Sequence, residues 1–286
     1  MTSKAMHTEN LNWDVARVPG HFTFNGITRN TSKDVLVNNQ TGEEISQMSG
    51  TYNILTNKQF VELAEMAAEQ FNLQISHYTT TGGGKRVLVA FKRSDKPFKI
   101  GQWEVENHLV FINSHDGTKG FEIGSSNGLF RCANMFASTT IATKIYHNSG
   151  MQDAIDELKM RIMKVDEILE QEFAVLNRWQ NVEISPKIIQ DAKEQLFNLG
   201  GQQLSTAMTN KLARFDASVE QEIGQLGHNL FGLHNAVTHF TTHNYQAKEN
   251  SSLEWGKDFP LWGGRANLNA KGFQICSNIE KQLVAV

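Results

Sequence analysis

At 286 residues, with 40% apolar and 20% charged side chains, the chain is long enough for one large domain or two ordinary ones and too apolar to remain disordered. The absence of any run of about 18 apolar residues excludes a membrane-spanning helix, and two cysteines, Cys132 and Cys276, exclude a disulfide framework or a cysteine zinc cage. The net charge of −3 excludes a uniformly basic surface.

That charge is unevenly spread. Residues 1–150 carry 14 Lys and Arg against 13 Asp and Glu, which leaves 13 against 17 for residues 151–286. Within the first half, Lys85 to Lys99 (KRVLVAFKRSDKPFK) sets six cations against Asp95 alone, a local basic patch. The opening MTSKAMHTENLNWDV has no apolar secretory segment, and with so few cysteines the expected location is the cytoplasm.

Residues 1–50 are polar and rich in turns. They read as extended segments with little regular structure, anchored by Trp13, Phe22 and Phe24. At Thr56 the pattern changes. Thr56 and Gln59 have capping-box spacing, and Phe60, Leu63, Ala64, Ala67, Ala68 and Phe71 share one helical face. Leu73, Ile75 and His77 then alternate as a strand, Gly82-Gly83-Gly84 reads as a loop, and RVLVAFK returns as a β-branched strand. From Asn107 to Met135 the chain reads as strand, turn, strand, turn and strand, with Asp116-Gly117 as a two-residue hairpin turn. Residues 73–132 thus predict an antiparallel sheet of about four or five strands, with a helix over 133–147 covering one face.

Beyond Gly150 the composition turns helical. Ile155, Leu158, Ile162, Val165, Leu169, Leu176 and Trp179 recur at helical steps, the core face of a bundle or a subunit contact. Ser185-Pro186 opens a further helix that Gly200-Gly201 closes, and two more follow over 209–223 and 229–245. A Gly- and Trp-rich tail packs back onto the body. The fold class is α+β: an antiparallel sheet with hairpins and covering helices over residues 1–150, then a mostly helical domain over 151–286.

Several catalytic patterns are testable on spacing. GGGK at Gly82 to Lys85 lacks the first glycine of a phosphate loop and has Arg86 where Ser or Thr holds magnesium, so a hairpin loop explains it better. His239 and His243 lie four apart with His234 upstream, but Phe240 replaces the glutamate that a zinc hydrolase needs. His115 and Asp116 are neighbours whose side chains diverge, so they form no dyad of their own. The favoured reading makes Asn113, His115, Asp116 and Gly117 a turn scaffold. No catalytic residue, cofactor or metal is expected.

NSHDGTKGFEIG followed by GLFRCANMF resembles the signature of a phage and plasmid family filed as a domain of unknown function. Other segments agree in order: LNWDV near Trp13, GTYNILTNKQF around Tyr52 and Asn57, the Gly-Gly hairpin, and NAVTHFTTH followed by LWGG. Arg131, Cys132 and Asn134 match the family pattern, while Phe130, Ala133 and Met135 depart from it. The resemblance implies a mobile-element protein with a core similar to the Rad-fifty-two-type single-strand annealing proteins. On that basis the expected function is single-stranded DNA binding and strand annealing in recombination or replication, in the cytoplasm of a bacterial host. The expected phosphate contacts are Lys85, Arg86, Lys92, Arg93, Lys119 and Arg131. The expected partners are single-stranded DNA, further copies in a ring or filament, and a phage exonuclease or single-strand-binding protein; no membrane is expected. Two alternatives remain: a metal-assisted nuclease or hydrolase using His115 and Asp116, and a structural or host-interaction protein of a mobile element.

Overall fold

Alternation of apolar and polar residues from Val15 onward builds the first sheet, a structure that the polar composition of this region conceals. The computed structural model describes residues 11, 13–70, 73–92, 98–129, 138–157, 170–201, 203–245 and 263–284. Strands β1 (Val15–Phe24), β2 (Ile27–Asn38) and β3 (Glu44–Ser49) form an antiparallel sheet in that order. This corrects the expectation of irregular structure over residues 1–50. Asn25-Gly26 makes the β1–β2 turn with φ of 50° and 76°, both positive as a two-residue primed hairpin turn requires. Val15, Leu36, Ile45 and Tyr52 form the core beside it, with Trp13, Met48 and Ile54 packed against them. Phe22 and Phe24, expected as anchors, are instead exposed.

Helix α1 (Asn57–Gln70) begins where the capping box places it. Thr56 N–H donates to Gln59 Oε1 at 3.0 Å, and Gln59 N–H donates to Thr56 Oγ1 at 3.2 Å. Its buried face, Phe60, Ala64 and Ala67, meets the second sheet through an edge contact of Phe60 with Phe121 at 5.9 Å.

The second sheet has strands β4 (Gln74–Thr81), β5 (Arg86–Lys92), β7 (Trp103–Ser114), β8 (Phe121–Leu129) and β9 (Ser138–Ile145) in that order, with β6 (Phe98–Ile100) paired to β7. The β4–β5 hairpin turns through Gly82, Gly83 and Gly84, all at positive φ, as the spacing predicts. Residues 87–91 of β5 are fully buried; Phe91 meets Phe111 edge to face at 5.7 Å, and Phe111 in turn stacks on Phe121 at 6.3 Å.

The covering helix predicted over 133–147 is not present in its described part. Residues 138–145 are strand β9, consistent with Thr139, Thr140, Ile141, Thr143 and Ile145, whose branched Cβ atoms favour a pleated strand. Its first residues lie outside the described ones. Helix α1 supplies the cover instead.

The chain divides into two compact units, residues 1–95, 108–125 and 140–167 in one, and 96–107, 126–139 and 168–286 in the other. The first also holds α2 (Met151–Asp156). The second contains a helix with described residues 170–179 (α3), α4 (Pro186–Phe197), α5 (Thr206–Leu226), α6 (Leu230–His239) running into a π-turn (Phe240–Asn244), and α7 (Gly263–Val284). The apolar stripe predicted from Ile155 falls largely in residues 158–169, outside the described ones. Ser185 caps α4 through Ile188 N–H and Asn198, rather than Gly200, ends it in the left-handed region. The Gly- and Trp-rich tail, expected to pack back onto the body, is from Gly263 a 22-residue helix. Phe197, Phe215 and Phe240 meet edge to face at 5.2–5.8 Å, and Trp179 donates its indole N–H to Glu280 at 3.0 Å. Among the described residues no helix is long and apolar enough to cross a membrane.

Thr56→Ala removes one arm of the capping box and is expected to lower stability by about 0.5–2 kcal/mol. Urea unfolding should show a lower midpoint with an unchanged denaturant slope.

Candidate nucleic-acid interface and its histidine turn

The β5–β7 ladder brings Arg86 opposite Ser114 and extends one bond further, from His115 N–H to the Lys85 carbonyl at 2.7 Å. The chain then leaves β7 not through a two-residue turn but through six residues, 115–120, before β8. Side chains build this longer loop. Ser114 Oγ donates to the Lys119 carbonyl at 2.7 Å and accepts from Lys119 N–H at 3.0 Å, closing its neck. Asp116 Oδ1 accepts from Thr118 N–H at 3.0 Å, the Asx-turn that this residue type favours. Gly117 sits at φ +70°, with a Cβ position only 2.9 Å from Met48 Cε.

His115 points inward and is fully buried. Its Nε2 lies 2.9 Å from Asn57 Oδ1, which can only accept, so Nε2 carries the proton. Asn57, also fully buried, donates from Nδ2 to the Trp13 carbonyl at 3.1 Å, and its backbone N–H donates to Asp14 Oδ1 at 3.0 Å. The Trp13 ring stands edge-on to His115, and at Gly84 it leaves no room for a Cβ, which would come within 2.5 Å of it. On the other side, Tyr52 donates its hydroxyl to the Ser114 carbonyl at 2.7 Å and stacks on His147 at 4.8 Å. His147 Nδ1 donates to the Asn53 carbonyl at 2.9 Å. His115 Nδ1 and His147 Nε2 are buried without a hydrogen-bond partner among the described residues.

These surroundings set the ionisation. Burial, reinforced by the nearby His147, pushes the His115 pKa down to about 3, despite an opposing pull from Asp116. Burial also lowers His147, partly offset by its bond to Asn53. The Tyr52 phenol is held well above its usual range by burial and then by the Asp116 charge.

The expected phosphate contacts separate into distinct environments. Lys85 and Lys92 are half-buried at the two ends of β5. Arg86 is buried: its guanidinium lies 3.6 Å from Asp116 Oδ2, and its Nε–H donates to Thr118 Oγ1 at 3.0 Å. Burial lowers its pKa while Asp116 counters the shift. Arg86 therefore braces the loop from within. Lys119 lies 3.2 Å from the buried Glu122 carboxylate, which Lys144 also approaches at 3.2 Å. Arg93 and Arg131 lie outside the described residues, as do Cys132 and Asn134. Asn113, expected in the turn scaffold, donates to the Leu55 carbonyl at 3.1 Å.

A side chain as enclosed as His115 has no surface to offer a phosphodiester. Among the described residues no group of three or more His, Cys, Asp or Glu could hold a metal ion. His239 is buried against Ser218 at 3.2 Å and Glu222 at 4.0 Å, and His234 is enclosed between Trp179 and Phe273. Sequence reasoning missed Asp14 and His147 altogether. Trp13 is legible as an anchor of residues 1–50, whereas Tyr52 and Asn57 are legible only through segments in matching order.

A family model described as Domain of unknown function (DUF932) matches residues 44–257, well over half of the chain, and the chain belongs to that family. No curated protein and no solved structure matches it.

The His115 shift fixes the sign of a pH effect. Its folded pKa of about 3 lies below the 6.5 of a free histidine, so the unfolded chain binds more protons between those values. This contribution, on the order of a few kcal/mol, is complete above about pH 7 and is lost as pH falls toward 3. His115→Gln, followed by thermal unfolding from pH 7 to pH 4, should give a lower Tm at pH 7 and a shallower decline than the wild type.

Proposed function

We propose that this member of the family is a single-strand annealing protein of a phage or plasmid, with a Rad-fifty-two-type core, acting in the cytoplasm of a bacterial host. It binds single-stranded DNA as a ring or filament of identical subunits and promotes pairing of complementary strands without nucleotide hydrolysis. A phage exonuclease or single-strand-binding protein is its expected companion. The observation that carries the reading is the β4–β5 hairpin: a glycine loop and a buried strand with Lys85 at one end and Lys92 at the other.

That arrangement suits annealing. Lys85 and Lys92 flank β5 at its two ends, roughly 23 Å apart along the chain, so the hairpin offers phosphate a cation at each end. Contacts to phosphate leave base edges open for a second strand. With Arg86 turned inward, the set becomes Lys85, Lys92, Arg93, Lys119 and Arg131. Five such contacts hold one strand weakly, and repetition around an oligomer raises the avidity.

Binding of an oligo-dT, measured by fluorescence anisotropy over a salt series, should weaken with a log–log slope of about −3.5 per protomer, from −0.7 for each of five phosphates. Lys92→Ala/Arg93→Ala should reduce the slope to about −2. Binding independent of salt would contradict the proposal.

A further inference from the structure

The β1–β2 hairpin continues beyond its own sheet. Its proximal half is held by β3, whose pairing with β2 covers Lys33 to Val37, and by the Arg17–Asp34 ion pair at 2.8 Å. At Gly20 the register shifts: Pro19 pairs with Asp34, but His21 pairs with Asn30. Gly20 is required there, because a Cβ would come within 2.4 Å of both the Lys33 carbonyl and Thr31 Oγ1. Past this bulge every residue from His21 to Lys33 is exposed. The result is a two-stranded arm that ends in the Asn25-Gly26 turn.

The two faces of the arm differ. Residues paired across an antiparallel ladder lie on the same face. One face holds His21, Thr23, Thr28 and Asn30, tied across the strands by His21–Asn30 and Thr23–Thr28 hydrogen bonds, both 2.9 Å. The other carries Phe22 opposite Arg29 and Phe24 opposite Ile27. Phe22 is 49% exposed, Phe24 69% and Ile27 57%, an apolar surface that nothing in the chain's described residues covers.

The chemistry of this surface favours one kind of partner. Val18 to Lys33 contains Arg29 and Lys33 and no acidic residue, in a chain of net charge −3. Neither cation has an acidic partner among the described residues. Phe22 and Phe24 lie two residues apart on one face, about 6.7 Å, close to twice the base-stacking step and wide enough for one base between them. Aromatic rings beside cations, on a ribbon free of acids, match a single strand whose bases are unpaired.

We infer that the distal β1–β2 arm is a second contact for single-stranded nucleic acid, with Phe22 and Phe24 as stacking surfaces and Arg29 as the cation beside them. The inference rests on the reading of the protein as a single-strand binder and adds a base contact to its phosphate contacts.

The test is anisotropy of a labelled oligo-dT with the full chain at one low salt concentration. Light scattering reports the mass, and circular dichroism reports the fold. Phe22→Ala/Phe24→Ala should weaken binding at least tenfold, in line with roughly 1–3 kcal/mol per stacked base, with mass and fold unchanged. Arg29→Glu should weaken it independently of the rings, whereas Thr23→Ala/Thr28→Ala on the polar face should not. Unchanged affinity in the first two variants, with a wild type that binds, would overturn the arm's role alone. Loss of oligomer mass together with affinity would also overturn it, by making the arm a contact between copies. A wild type that does not bind would overturn the single-strand reading itself and the inference with it.

Discussion

The hydrogen bond between His115 and Asn57 holds the first unit in register. It connects the end of β7 to the first residue of α1 and, through Asn57, to the Trp13 carbonyl, so one buried amide fixes three separate stretches of chain. The bond is sustained because both partners are fully buried, where an unmade hydrogen bond costs far more than in water. Depressed basicity of the imidazole is a consequence, since a cation in this enclosure would have no compensating carboxylate in contact. The loop at residues 115–120 is therefore a scaffold around a neutral histidine. The ionic pairing of Arg86 with Asp116 braces the same loop from the hairpin side.

This arrangement separates two tasks that the sequence places in adjacent positions. Arg86 and Asp116 neutralise each other inside, while Lys85 and Lys92 remain at the ends of the same strand. Lys119 and Lys144 share the buried Glu122, which fixes their ammonium groups and leaves the trio with one positive charge. In the proposed reading such a surface is weakly cationic per subunit, and strong retention of a polyanion then depends on repetition and on contacts of another kind. The acid-free β1–β2 arm supplies such contacts in the proposed reading.

Much of the fold was legible wherever a local rule had a single outcome. The capping box at Thr56 and Gln59, the triple-glycine hairpin and the Ser185-Pro186 start of α4 depend on nearest neighbours, and all three form. Two failures have different physical origins. The strand at 138–145 has the apolar spacing of a helix through Ile141 and Ile145, but its threonines favour the sheet and α1 already covers it. The β1–β2 hairpin announced itself through Asn25-Gly26, and the polar residues of an arm exposed on both faces masked the signal. At the site, Asp116 and Gly117 read correctly as turn formers. The partners of His115 were out of reach, because Asn57 and Trp13 are distant in sequence and only the fold brings them to it. The pairing of Arg86 with Asp116 was equally out of reach, because a run of basic residues does not reveal which of them turns inward.

In the proposed reading the histidine turn is structural and annealing needs no metal. The most direct measurement is annealing of complementary fluorescent oligonucleotides in EDTA without nucleotide, comparing wild type with His115→Gln at a temperature where both are folded. The account predicts that both accelerate annealing, to similar extents per folded protein. Strand cleavage on adding a divalent metal, abolished by His115→Gln, with no annealing in EDTA, would contradict it.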